Sequence, residues 1–94
     1  MDHDALRQMV EDFIPFNRFL GIKVVKLGDG EVHLTLPFRS EFVGDPIRPA
    51  MHGGVLSTMA DVAGGIAVWS GLAEPRARVA TIDLRVDYLR PGRL

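Results

Sequence analysis

Residues 51–71 read MHGGVLSTMADVAGGIAVWSG. A His-Gly-Gly corner leads into a nearly all-apolar run long enough for about five helical turns at 3.6 residues per turn. With His52 neutral, Asp61 is the sole formal charge between His52 and Glu74. A helix apolar on almost every side is one the fold must cover on almost every side. A carboxylate on such a helix needs a partner or a task, because burying an unpaired charge costs several kcal/mol. The run does not read as a membrane span. Residues 53–73 hold five glycines and an acid near the middle, with no basic flank on the N-terminal side. Asp alone costs about 2.5–3.5 kcal/mol at the centre of a spanning helix.

Outward from this helix, the chain supplies short elements on both sides. Upstream, Leu6, Met9, Val10 and Phe13 recur at helical spacing, and Asp2 or Asp4 can cap the helix start. Pro15 interrupts that helix, residues 16–20 form a further turn with Phe16, Phe19 and Leu20 inward, and Gly21 releases the chain. Residues 22–27 and 31–38 read as two strands joined through Gly28-Asp29-Gly30. In the second, Val32, Leu34, Leu36 and Phe38 share the inner face, and His33 lies on the outer one. Residues 39–50, with Pro46 and Pro49, read as an irregular loop that delivers the chain to His52. Downstream, 71–76 is a loop and 77–90 a long strand. Ala80, Ile82, Leu84, Val86 and Tyr88 lie on one face of that strand, and Val79, Thr81, Asp83, Arg85 and Asp87 on the other. Three strands are too few to wrap such a helix. The missing cover comes either from a second subunit or from chain beyond Leu94.

Composition sets further bounds. Ninety-four residues make one small domain, residues 1–94, and 47% hydrophobic content argues against disorder. The net charge of −1 offers no footprint for nucleic acid, although residues 76–94 carry +3 and the preceding 75 carry −4. The absence of cysteine excludes thiolate chemistry and suits a cytoplasmic protein. The acidic N-terminus is no secretory signal.

The Gly-Gly corner exposes backbone N–H groups at the positive end of a helix dipole, where an anion or a developing oxyanion can be held. Asp61 lies eight residues beyond Gly53, or about 12 Å along the axis. One helix therefore cannot bring both to one carbonyl group. If both are catalytic, two helices from two subunits must meet. The bland alternative is that Asp61 pairs with a buried Ser, Thr or Arg.

Several motifs together carry a resemblance. They are Val43-Gly44-Asp45-Pro46, Met51-His52-Gly53-Gly54-Val55, Asp61, and Val86-Asp87-Tyr88-Leu89-Arg90-Pro91-Gly92. From about Phe16 to Leu94 the chain resembles the hotdog-fold thioesterases, with the phenylacetate-pathway (PaaI-type) group as the nearest pattern. That resemblance implies an α+β fold, a long central helix wrapped by a curved antiparallel sheet, with two strands after the Pro-Gly turn that this chain lacks. It implies a homodimer or dimer of dimers, an acyl- or aryl-acyl-coenzyme A thioester as substrate, and no separate cofactor, metal, nucleic-acid or membrane partner. By the same resemblance Gly53 polarises the thioester carbonyl, and Asp61 of the facing subunit is general base or nucleophile. Thr81 places the water, and His52 supports the corner. Gly54, Asp45 and Arg90 are substrate-side candidates, with Arg76, Arg78 and Arg93 as further partners for phosphates. Where relatives carry Asn or Gln six residues before the motif His, this chain has Pro46. Phe13, Phe16, Phe19, Leu20, Met59 and Trp69 are available to shape an acyl or aryl pocket, or simply to fill the core. A non-catalytic hotdog binding module is the alternative function. A hydroxyacyl dehydratase fits less well, because His52 sits at the helix-start corner.

Overall fold

The computed structural model describes residues 2–72 and 78–94. Helix α1 (His3–Gln8) begins where the Asp2 carboxylate accepts the Asp4 and Ala5 amides. The helix then widens into a π turn over Met9–Phe13, in which Ile14 N–H reaches Met9 C=O at 3.1 Å. That longer reach leaves the Val10 carbonyl to the Asn17 side chain, which donates from Nδ2 at 3.1 Å. Pro15 does not end the helical segment. It starts α2 (Pro15–Leu20), where its missing N–H costs nothing. Gly21 closes α2 at φ +82°, a backbone conformation that side chains disfavour.

Strands β1 (Lys23–Gly28) and β2 (Glu31–Thr35) form an antiparallel hairpin with a register shift between Val24 and Lys26. The turn is Asp29-Gly30, with Gly30 at φ +77°. On the outer face Glu31 accepts from His33 at 2.9 Å and from Lys26 at 3.2 Å. These bonds hold its carboxyl below the ordinary glutamate value, the His33 bond contributing most. Because the folded value is depressed, this contribution is present above the unfolded pKa and fades as pH falls through the folded one.

Residues 39–50 are more ordered than the two prolines suggest. A 3₁₀ turn over Ser40–Phe42 leads into β3 (Val43–Asp45), which pairs antiparallel with β4 (Ala50–Met51). Pro46 and Pro49 sit in the connecting turn, outside the ladder. The expectation of an unpaired loop is corrected on this point, because proline forbids pairing only where its own N–H is needed.

Helix α3 (Gly53–Ser70) is the axis of the molecule. Leu6, Val10, Val24 and Ile66 make one buried cluster, with Val32, Leu34, Val62 and Trp69 packed on it. Leu20, Ile22 and Phe42 make a second against Val55, Met59 and Val62. The hairpin and the N-terminal helices therefore cover one side of α3. Among its described residues only Ile66 and Ser70 are fully buried, so the remaining cover does not come from this part of the chain.

Two expectations are corrected here. Phe16 and Phe19 do not face inward. They stack on each other with ring centroids 6.2 Å apart and are 56% and 66% exposed, while Leu20 alone turns into the core. Phe13 and Phe38 are also exposed. The π turn shifts the helical register, and a periodicity count cannot see that. The long strand expected over 77–90 is absent among the described residues. Residues 78–94 lie along α3 without ladder pairing, and Ile82, Leu84 and Tyr88, from the apolar face of the expected strand, are exposed. A strand forms only against a neighbour, and none of the described strands flanks this segment. Residues 73–76 of the expected loop, and Ala77 at the start of the expected strand, lie outside the described residues.

Candidate active site

The site is built on the start and the middle of α3. At its start, His52 is the N-cap, and its Nδ1 accepts the Gly54 N–H at 2.9 Å. Accepting there places the ring proton on Nε2. A Cβ on Gly54 would lie 2.9 Å from that Nδ1, so the ring and the glycine fit only together. The corner is held from behind by His52 N–H donating to Phe42 C=O at 2.7 Å, and Met51 N–H donates to Gly92 C=O at 3.0 Å. Since Gly54 N–H is taken by His52, Gly53 N–H is the one that remains at the corner. Among the described residues no acceptor takes it.

Tyr88 lies across this corner. Its hydroxyl donates to Gly53 C=O at 2.8 Å and also bonds the Ser57 hydroxyl. A Cβ on Gly53 would sit 3.2 Å from the Tyr88 ring, so glycine lets the aromatic lie flat on the helix start. Gly53, Leu56, Tyr88, Leu89, Arg90 and Pro91 are among the residues lining a cavity of about 400 Å³. Tyr88 and Ser57 carry no role in the sequence reading, although Tyr88 stands inside the quoted Tyr-Leu-Arg-Pro motif. Replacing Tyr88 by Phe deletes both hydroxyl bonds and keeps the ring. The expected loss is about 0.5–1.5 kcal/mol of stability, read as a lower urea midpoint at unchanged m-value. An unchanged midpoint rejects a structural role for that hydroxyl.

Two turns further along α3, Asp61 faces the other cavity. Thr81 Oγ1 donates to Asp61 Oδ1 at 2.5 Å. The pair lines a cavity of about 400 Å³ together with Asn17, Val62, Trp69 and Val79. Residues 81–88 run antiparallel to α3, which is why Thr81 meets Asp61 and Tyr88 meets Gly53. The Asp61 and Gly53 cavities share no lining residue. Within one protomer the two groups act in separate places, in keeping with the distance set by the helical rise.

The remaining candidates are placed as follows. Asp45 Oδ1 accepts from the Ile47 and Arg48 amides, and its Oδ2 is 3.5 Å from Arg48 Nε. Asp45 thus shapes the β3–β4 turn and lines a separate cavity with Arg48 and Pro91. Arg90 is exposed at the Gly53 cavity, and Arg78 and Arg93 are exposed as well. Arg76 lies outside the described residues. Phe16 and Trp69 line the Asp61 cavity, Leu20 and Met59 belong to the second core cluster, and Phe13 and Phe19 are exposed. Among the described residues no cluster of His, Asp and Glu has metal-binding geometry, and no helix is long and apolar enough to cross a membrane.

The chain is similar to known proteins in sequence and in fold. The sequence profile of the thioesterase superfamily matches residues 49–94, which include Gly53, Asp61 and Thr81. The medium/long-chain acyl-CoA thioesterase YigI of Salmonella typhimurium is 35% identical over 104 residues, covering 95% of this chain and 67% of its own. The chain belongs to the thioesterase superfamily. A second relative, a candidate esterase of Halobacterium salinarum, is 44% identical over 94 residues, and the chain spans 62% of its length. A thioesterase-superfamily crystal structure from Shewanella oneidensis superposes with a TM-score of 0.83 at 29% identity, covering 96% of this chain and 67% of that one. The α+β hotdog fold expected from the motifs is therefore the fold of this superfamily member.

Proposed function

We propose that the protein hydrolyses acyl-coenzyme A thioesters in sites shared between two copies of the chain. The observation that carries this reading is the Thr81–Asp61 hydrogen bond of 2.5 Å at the edge of a largely apolar cavity. The Salmonella relative, a medium/long-chain acyl-CoA thioesterase, supports it. Thr81 donates to one carboxylate oxygen, which leaves the other free to take a proton from water and the threonine oxygen free to accept one. Water attacks the thioester carbonyl carbon, and its proton passes to Asp61. Gly53 N–H of the facing subunit holds the oxyanion that develops. Collapse breaks the C–S bond and expels the thiolate. A thiol of pKa about 8.5 leaves near neutral pH without a strong general acid. Direct attack by Asp61, through a mixed anhydride that water then cleaves, uses the same groups. No resident cofactor enters either route. Arg90, which lines the Gly53 cavity, is the candidate partner for a coenzyme phosphate. Within the superfamily we assign the chain to the phenylacetate-type arrangement, on its His-Gly-Gly corner and helix acid.

Following free thiol released from octanoyl-coenzyme A tests the reading. Steady release well above the buffer rate is expected. Release at the buffer rate, by protein that sediments as a dimer, rejects hydrolysis and favours a hotdog module that only binds.

A further inference from the structure

The Asp61 cavity follows a stripe of α3. Thr58, Asp61, Val62, Gly65, Ile66 and Trp69 all line it, spaced three and four apart along one helix face. Ile14 and Phe16 form part of the opposite wall. A second cavity of about 300 Å³ meets the first at Asp61, Gly65, Val79 and Thr81, which line both. Gly65 is thus at the junction. Glycine inside a helix is unfavourable relative to alanine, and nothing crowds this one, since a Cβ there would meet no heavy atom within 4 Å. Its consequence is open space one turn beyond the catalytic acid. At the far end stands Trp69, whose indole N–H is buried with no partner among the described residues.

Resting on the thioester reading above, we propose that α3 is a length ruler for straight-chain acyl groups. The reacting carbonyl sits at Asp61, the chain passes over Gly65, and its end reaches Trp69. Gly65 lies four residues past Asp61 and Trp69 eight, or about 6 and 12 Å along the axis. C–C bonds of about 1.5 Å in a zigzag advance an extended chain by about 1.25 Å per carbon, so it passes Gly65 at roughly five carbons and reaches Trp69 at roughly ten. The matching substrate is a medium-length, unbranched acyl thioester.

The test uses Gly65→Leu, which introduces a strong helix former and fills the junction. The ratio of kcat/KM for decanoyl- over butyryl-coenzyme A is expected to fall at least about tenfold, as steric exclusion of methylenes does elsewhere. An unchanged ratio overturns the ruler, as does a uniform loss at both lengths in protein that still sediments as a dimer. Faster turnover of phenylacetyl- than of decanoyl-coenzyme A by the unaltered protein also overturns it. A second readout needs no turnover, because Trp69 is the only tryptophan. The non-hydrolysable thioether S-decyl-coenzyme A is expected to shift Trp69 emission, and S-butyl-coenzyme A is not. Equal responses to the two overturn the ruler. Absence of hydrolysis at every length together with a decyl-selective emission shift rejects the proposed reaction and keeps the ruler as a binding site.

Discussion

Asp61→Asn is expected to lower kcat for thioester hydrolysis by about 10²–10⁴-fold, the range for loss of a positioned general base. The substitution is isosteric, and the amide carbonyl still accepts from Thr81 Oγ1 in place of Asp61 Oδ1. What it removes is the oxygen that takes the proton. The loss should therefore fall on kcat, with the thermal midpoint and the sedimentation coefficient held near those of the unaltered protein. Activity within threefold of the unaltered protein would falsify the role given to Asp61. The same variant tests the shared site. Gly53→Pro deletes the Gly53 N–H at the first helical position, where the backbone accepts proline and the Tyr88 ring, 3.2 Å from the new Cβ, must shift by a few tenths of an ångström. In a heterodimer of the two variants, one composite site has lost both groups and the other has lost neither. Random mixing of equal amounts makes half the dimers mixed, so about a quarter of full activity should return. If one protomer held a complete site, mixing would restore nothing.

The second large effect is on stability. A Cβ on Gly44 would lie 2.6 Å from His52 Cα and 3.0 Å from His52 N, both backbone atoms. Backbone cannot step aside as a side-chain tip can. His52 is also tied by its N–H to Phe42 C=O and by its ring to Gly54 N–H. Gly44→Ala must therefore push β3 away from the start of α3, at a cost of about 1–3 kcal/mol. For a domain of this size each kcal/mol lowers the melting temperature by about 4–8 °C. The matched control is Gly64→Ala on the same protein. A Cβ at Gly64 meets nothing within 4 Å, so that change should stabilise the helix by about 0.5–1 kcal/mol. Equal melting temperatures for the two variants would show that the β3–His52 approach is loose.

The features legible in the sequence are those whose causes lie within a few residues. Asp2 caps α1, Gly21 ends α2, Asp29-Gly30 turns the hairpin and His52 opens α3 because each acts on its own neighbours. The exposed position of His33 follows from period-2 alternation alone. The π turn over Met9–Phe13 was not legible, since its stabilising partner, Asn17, bonds back across seven residues to a carbonyl that an ordinary helix would have used. The exposure of Phe16 and Phe19 follows from that shift in register.

The sequence by itself determined the apolar central helix, its lone acid and its His-Gly-Gly start, and with them the family. Helical rise alone separated Gly53 from Asp61. Only the tertiary structure decided what faces each of them. Thr81 on Asp61 and Tyr88 on Gly53 are contacts across 20 and 35 residues. They exist because an extended segment lies antiparallel to α3, and its alignment is set by packing against that helix rather than by any local preference. The same segment shows its apolar residues, Ile82 and Leu84, to the outside. Alternation marks such a face for burial. What buries it is decided by a neighbour that local sequence cannot specify.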